Sequence, residues 1–187
     1  MWFPICSLTF ATIASCHGII TSPTARSAGS AMKAVCGQQV TSNLQSNEYG
    51  DIQQLSKIGA SQDDFDAYLC DVSLCKGLQF DDNTANVQKF TLGQVVPIKV
   101  DIQAKHTGTA NVSVVDTATN KMISDELIYF PVYASTATDL PKNETSFSIT
   151  MPDVRSQCGI AGACVVQWWW DSKESDQTYM SCVDFTM

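Results

Sequence analysis

Apolar and polar residues alternate along several short segments in the second half of the chain. The alternation is clearest in residues 95–102 (VVPIKVDI) and 146–151 (SFSITM), and residues 111–115 are rich in β-branched side chains. Apolar runs also cover residues 164–170 and 179–185. Short period-two segments separated by turns are typical of β-sandwiches. The pattern predicts an all-β, immunoglobulin- or fibronectin-III-like sandwich.

The chain before residue 87 lacks this alternation. Residues 27–50 are polar and rich in Ser, Gln and Asn, and no individual element is assigned to them. Residues 51–68 favour one or two short helices, with Ser61 as an N-cap. We therefore expect the N-terminal half to be a region of loops and short helices that disulfides tie to the sandwich.

Residues 1–16 (MWFPICSLTFATIASC) have the character of a signal peptide. The segment has no charged residue and an apolar middle, and it ends in small residues. It is too short to span a bilayer, and its lack of strand alternation argues against the alternative, a buried N-terminal strand. We expect a signal peptide at 1–16 and one domain at 17–187, so that His17 becomes the first residue of the mature protein.

Charge and cysteine content narrow the classes of partner and compartment. The net charge is −8, and the lysines and arginines form no cluster. This argues against a nucleic-acid binder and against a polybasic membrane anchor. Eight cysteines in 187 residues indicate an oxidising compartment, so we expect a secreted, extracellular protein that is a monomer.

The cysteines outside the predicted signal peptide are expected to form disulfides, because no CxxC motif favours a zinc site. The predicted pairs are Cys158–Cys164, Cys70–Cys75 and Cys36–Cys182. Two N-glycosylation sequons are present, at Asn111 and Asn143. Asn143 lies in a polar turn and is the better candidate, since Asn111 lies at the start of a strand.

The chain has two histidines, and their positions predict a metal site. A terminal amine has a pKa of about 7.7–8, so an N-terminal His17 can chelate a metal with its amine and its ring Nδ1. His106 is the other histidine, and its ring nitrogen would complete a planar set of three nitrogens. Such a set suits Cu(II), which predicts one copper ion per chain. The alternative for His106 is an ordinary surface-loop histidine.

Residues 168–170 are three consecutive tryptophans. Strand periodicity places Trp169 on the face opposite to Trp168 and Trp170. The leading interpretation is packing, with one face of the run in the core and the other at the surface. The alternative is a surface that stacks on sugar rings, for which Trp168 and Trp170 are the candidates.

Four motifs occur in order along the chain. His17 and Gly18 follow the predicted signal peptide, PTARS occupies residues 23–27, AKHTG occupies residues 104–108, and DQTYMSC occupies residues 176–182. Together they resemble the lytic polysaccharide monooxygenases (LPMOs), histidine-brace copper enzymes that include the chitin-binding type-4 domains.

The resemblance implies roles for individual residues. His17 and His106 would form the copper brace, and Tyr179 would be the axial aromatic group. Gln177 would hydrogen-bond to that tyrosine or to a copper-bound oxygen species. Asp176 is an alternative axial ligand, as in LPMO-like copper proteins that do not cut polysaccharides.

The resemblance also implies an activity. The protein would be a copper-dependent oxidoreductase that cleaves chitin or cellulose, with chitin as the leading substrate. It would use an external reductant and O₂ or H₂O₂. Two alternatives stay open: a copper-binding protein without catalysis, and a secreted chitin-binding effector.

Overall fold

The computed structural model describes residues 17–187; the predicted signal peptide lies outside the described residues. The strands are β1 (Gly18–Ser22), β2 (Gln88–Lys89), β3 (Val95–Ile102), β4 (Gly108–Asp116), β5 (Lys121–Met122), β6 (Ile128–Tyr133), β7 (Ser146–Thr150), β8 (Cys164–Ser172) and β9 (Gln177–Thr186). The helices are α1 (Ser30–Ser46), α2 (Ile52–Gly59) and the single turn α3 (Lys142–Thr145). In residues 17–187, no helix is long and apolar enough to cross a membrane.

The strands form two sheets. In the smaller sheet β3 lies between β1 and β7, and in the larger one the order is β2-β9-β8-β4, with β5 and β6 both paired to β4. The pairs are antiparallel except β2 with β9, which is parallel. Side chains from both sheets meet in one apolar cluster, the sandwich core. The predicted all-β sandwich is therefore confirmed.

Strand β3 shows why the alternating segments form strands. Val96, Ile98 and Val100 are buried in the sandwich core, while Val95 and Lys99 are exposed on the outer face. Each residue in a strand points to the face opposite to its neighbours, so the period-two pattern buries one face.

The larger sheet is covered on its other face by a second apolar cluster. Residues 30–86, here called the helical layer, contribute most of its side chains, and Val115, Val165 and Cys182 reach it from the sheet. Strand β8 is thus buried on both faces, which explains why its sequence is a continuous apolar run.

Helix α1 lies in the polar segment to which the sequence pattern assigned no element, and it is longer than the short helices expected in this half. Its buried side chains Met32, Cys36, Val40 and Leu44 recur every fourth residue, a sparse stripe among polar residues that still lines one helix face. The helix is kinked at Gly37, where φ is +76°.

Helix α2 begins one residue after Asp51, whose side chain accepts a hydrogen bond from the Gln54 N–H at 2.8 Å. The N-cap is therefore Asp51, and Ser61 lies beyond the helix, where its hydroxyl donates to the Ile58 carbonyl. The prediction of Ser61 as a helix start was wrong because the helix ends two residues before it.

Two of the three predicted disulfides were wrong. The structure pairs Cys36 with Cys70 and Cys75 with Cys182, whereas Cys158–Cys164 is as predicted. The predicted pairs Cys70–Cys75 and Cys36–Cys182 fail because the segment of residues 70–75 lies in space between α1 and β9. One end of this segment is therefore bonded to α1 and the other to β9, which joins the helical layer to the sandwich.

A buried ion pair joins the segment after β1 to the last strand. The Arg26 guanidinium donates two hydrogen bonds to the Asp184 carboxylate, both at 2.7 Å, and one to the Leu78 carbonyl at 2.9 Å. The Arg26 backbone N–H also donates to the Cys182 carbonyl. This bidentate pairing fixes the path of the chain from β1 into the helical layer.

Candidate metal centre

His17 precedes β1 and is almost buried, with 7% of its surface exposed. Its carbonyl accepts a hydrogen bond from the Gln103 N–H at 2.8 Å, which extends the β1–β3 ladder by one step. The rings of Tyr49 and Tyr179 contact the imidazole edge-on, with centroid distances of 6.1 and 6.3 Å. The side chain of Asn47 lies 3.1 Å from Nε2. The ring is thus enclosed by neighbours from both the sheets and the helical layer.

His106 lies in the connection between β3 and β4, three residues after Gln103, and is half-buried. Three residues span at most about 10 Å, so the Gln103–His17 hydrogen bond brings His106 to the same end of the sandwich as His17. The structure therefore places the two histidines at the same end of the sandwich.

Tyr179 and Gln177 begin strand β9 at this same end. Tyr179 is fully buried, and its hydroxyl donates to Gln177 Oε1 at 2.8 Å. The Gln177 amide in turn donates to Asp51 Oδ2 at 3.3 Å. The tyrosine ring stacks on Trp170, with centroids 4.6 Å apart. These contacts fix the orientation of the aromatic ring beside His17.

Asp176 is exposed in the turn between β8 and β9, with a φ of +53°. The same turn contains Glu174, whose carboxylate accepts a hydrogen bond from the Thr107 N–H at 3.0 Å. Because Thr107 follows His106, this bond joins the Asp176 turn to the connection that carries the second histidine. Asp176 thus lies at the histidine end but is more open to solvent than Tyr179.

Sequence comparison gives the family. A family model described as "Lytic polysaccharide mono-oxygenase, cellulose-degrading" matches residues 17–185. This chain belongs to the lytic polysaccharide monooxygenase family. The match begins at His17, so it covers the LPMO domain predicted above and not the residues before it. No curated protein matches the chain.

Solved LPMO structures resemble this one. The cellulose-active LPMO CelS2 in complex with copper covers 91% of this chain and 98% of its own, with 15% identity and a TM-score of 0.50. An AA10 LPMO from Streptomyces lividans covers 91% and 100%, with 16% identity and a TM-score of 0.49. A Bacillus amyloliquefaciens CBM33 in complex with Cu(I) covers 91% and 99%, with 17% identity and a TM-score of 0.48. At such identities a likeness bears on the fold alone.

The interpretation of Trp168 and Trp170 as a sugar-stacking surface of this LPMO was wrong, and packing in the core is confirmed. Trp168 and Trp170 are fully buried in the sandwich core, because period-two geometry directs both rings to the inner face. They also lie beneath Gly18, where an added Cβ would be 2.8 Å from the Trp168 ring and 3.2 Å from Trp170. Trp169 points the other way and is partly exposed.

The donor atoms at the histidine end fit a copper ion. Within residues 17–187, no group of three or more His, Cys, Asp or Glu side chains could hold a metal. Two imidazoles would therefore need a further donor, and in a protein that begins at His17 the terminal amine would be that donor. Nitrogen ligands of this kind suit Cu(II), and the buried Tyr179 ring limits access on one side.

Sequence reasoning missed the contribution of the helical layer to this LPMO site. Tyr49 contacts His17, and its hydroxyl donates to Asp101 Oδ2 at 2.8 Å. This hydrogen bond raises the pKa of Tyr49 above its usual value of 10.0. In the sequence Tyr49 lies between a Glu and a Gly in a polar segment, and no sequence pattern there predicts a contact with His17. The sequence signal in this region was Asp51. It is a residue type favoured at N-caps and directly precedes the apolar Ile52, which indicates the start of a helix near the site.

The two sequons differ in accessibility. Asn143 is exposed in α3. Asn111 lies in β4 between β6 and β8, and its side chain donates to Glu126 Oε1 at 3.0 Å. The geometry favours Asn143 as the position for a glycan, in line with the sequence prediction.

Proposed function

We propose that this LPMO-family protein is a secreted mono-copper monooxygenase that oxidatively cleaves a β-linked polysaccharide of the chitin or cellulose type. The observation that supports this most is the Gln103–His17 hydrogen bond, since it brings the connection with His106 to His17. Three disulfides among the described residues support an extracellular location.

In this proposal His17 supplies its terminal amine and Nδ1, and His106 supplies one ring nitrogen. Tyr179, whose ring is buried beside His17, would exclude water from that side of a bound ion. Gln177 holds the tyrosine hydroxyl and so keeps that ring in place. When bound, copper supplies the redox chemistry, with electrons from an external reductant and with O₂ or H₂O₂ as the oxidant.

The polymer would lie across the histidine end of the sandwich. Tyr49 is a half-exposed aromatic ring next to His17, and it replaces the buried Trp168 and Trp170 as the stacking candidate. Its hydrogen bond to Asp101 fixes the ring orientation. Chitin is the first substrate to test, and cellulose is the second.

A second candidate function is copper binding without cleavage. The exposed position of Asp176, in a turn bonded to the His106 connection, favours it. A carboxylate ligand from this turn would occupy a position that an oxidant or substrate needs. The spectra of Cu(II)-loaded Asp176→Asn and Tyr179→Phe separate the two: the first variant changes the EPR spectrum if Asp176 is a ligand, and the second changes it if Tyr179 is the axial group.

The experiment that tests the proposed function begins with secreted protein. Intact mass should show a chain that starts at His17, and a Cu(II) titration should show one site. His106→Ala should keep the fold but lose most of the copper affinity, whereas Lys105→Ala, at the adjacent position, should keep it. Unchanged affinity in His106→Ala would show that the brace assignment is wrong.

Product analysis then separates the two functions. Copper-loaded protein with reductant and peroxide should release oxidised oligosaccharides from chitin or cellulose. A protein that binds one copper ion but releases no such products from either polymer is the copper-binding candidate.

A further inference from the structure

Asn47 is the residue that contacts the far side of the His17 ring. Its amide nitrogen Nδ2 lies 3.1 Å from Nε2, the ring nitrogen that the proposed copper site does not use. Asn47 also ends α1, but there its backbone N–H makes the capping hydrogen bond, to the Asn43 carbonyl at 2.9 Å. The side chain is therefore not needed to end the helix, and its contact in this region is with the imidazole.

The segment that contains Asn47 is held in place by buried groups. The Lys76 ammonium, which is 2% exposed, donates to the Glu48 carbonyl at 2.6 Å and to the Gly50 carbonyl at 3.3 Å. Tyr49 is bound to Asp101. Residues on both sides of Tyr49 are thus fixed, so the Asn47 amide approaches the ring from a rigid support.

The chemistry of the pair depends on which amide atom faces the ring. The structure places Nδ2 toward the ring, and a 180° turn of the amide presents Oδ1 in nearly the same place. A neutral imidazole has one N–H and one lone pair, so a ring that binds a metal through Nδ1 carries its proton on Nε2, and only Oδ1 can accept that proton. When Oδ1 accepts from Nε2–H, Nδ1 is the nitrogen that carries the lone pair of the ring. Nδ1 is also the nitrogen that can chelate a metal together with the amine of the same residue.

We propose that Asn47 is a positioning residue that holds His17 as the Nε2–H tautomer and so presents Nδ1 to the metal. This inference rests on the proposed copper site. A hydrogen bond from the unused nitrogen of a metal-binding histidine fixes both its tautomer and its ring orientation.

The first test uses metal-free protein, so it does not depend on copper. The ¹⁵N chemical shifts of the imidazoles at alkaline pH report the tautomer, and the chain has only two histidines to assign. Native His17 should be the Nε2–H form, and Asn47→Ala should lose this preference. Asn47→Asp should keep it, because a carboxylate only accepts. A native ring in the Nδ1–H form, or an unchanged tautomer in Asn47→Ala, would overturn the proposal.

The second test measures Cu(II) affinity. Asn47→Ala should bind copper about 10- to 100-fold more weakly, and Asn47→Asp should recover most of the loss. Gln45→Ala, an exposed position on the same helix, is the matched control and should bind as the native protein does. Native affinity in Asn47→Ala overturns the role of Asn47, whereas a native protein that binds no copper overturns the proposed function and leaves the tautomer result to decide the inference.

Discussion

The sandwich core and the helical layer are built in different ways. Long strand ladders and packed aromatic rings join the sandwich, as in the β4–β8 and β8–β9 pairs and the Tyr179–Trp170 stack. The helical layer instead depends on two disulfides and on side chains that bind backbone groups. Asp82, for example, accepts from the Ala31 and Met32 N–H groups at the start of α1.

The difference matters because the candidate site draws on both regions. The sandwich supplies His17, His106 and Tyr179, which are the proposed ligands and axial ring. The helical layer supplies Asn47 and Asp51, which hold the ring of His17 and the amide of Gln177. Cross-links and caps thus position the supporting groups, while the ladders position the ligands.

Removal of the Cys75–Cys182 disulfide should have the largest effect on stability. It closes a sequence separation of 107 residues between the helical layer and β9. The chain-entropy model gives about 4–5 kcal/mol for a loop of this size and about 2 kcal/mol for a loop of a few residues. Urea unfolding of the Cys75→Ala/Cys182→Ala double variant should show this loss.

The control for this prediction is Cys158→Ala/Cys164→Ala, because that disulfide spans only 6 residues. It should lose roughly half as much free energy of unfolding. Equal losses in the two double variants would contradict the view that Cys75–Cys182 is the main link between the two regions.

A methyl group at position 18 should disturb the sandwich side. The Cβ of Gly18→Ala would be 2.8 Å from the buried Trp168 ring, which is packed and cannot move away. We expect a loss of about 1–3 kcal/mol of unfolding free energy, together with weaker copper binding at the adjacent His17. Gly159→Ala is the control, since its Cβ would meet only the Arg155 carbonyl at 3.4 Å. Thermal unfolding and a copper titration of both variants check the prediction.

The buried Lys76 should give the helical layer a pH dependence. Burial lowers the pKa of Lys76 from 10.5 to about 8. Between these values the unfolded chain holds a proton that the folded chain has lost. The free energy of unfolding should therefore rise with pH in this window, by on the order of 1 kcal/mol per pH unit. Above about pH 10 two tyrosines should lower the free energy of unfolding as pH rises, because both have raised pKa values in the folded state. Burial raises the pKa of Tyr133, and the hydrogen bond from Tyr49 to Asp101 raises the pKa of Tyr49.

Lys76→Met is the variant that isolates this effect. It should lack the rise between pH 8 and 10 in chemical denaturation, and the native protein should show it. The same slope in both proteins would assign the pH dependence to other groups.

The smallest effect is expected at the α2 cap. Asp51→Ala loses the hydrogen bond to the Gln54 N–H and should cost about 1 kcal/mol. Asp51→Asn keeps the acceptor for the Gln54 N–H and loses only the one for the Gln177 amide, so it should be more stable than Asp51→Ala. Denaturant titration of both variants tests this, and a larger loss in Asp51→Asn than in Asp51→Ala would contradict the capping role.

The strands could be predicted from the sequence because their signal is local. In β3 the alternation of Val96, Ile98 and Val100 with polar or exposed neighbours reports directly which face is buried. Helix α1 was missed because Val40 and Leu44 are the apolar residues of its second half, and two such positions among polar ones do not make the period stand out. It forms because the second apolar cluster covers its apolar stripe.

The partners of the cysteines and of His17 could not be predicted, because they depend on the path of the chain in space. Cys70 and Cys75 are five residues apart, yet they bond to different regions of the protein. Asn47 reaches His17 across 30 residues of sequence with no motif to mark the contact. The two histidines could be singled out from the sequence. They lie at one end of the fold because His17 precedes β1, His106 follows β3, and these two strands are antiparallel.

The backbone bond between the His17 carbonyl and Gln103 has an energetic consequence for ligand binding. Chain termini are usually poorly ordered, but here the ladder already orders the backbone at position 17 and three side chains enclose its ring. A mature terminus built in this way would lose little conformational entropy when it captures an ion. Such preorganisation raises affinity without any added contact.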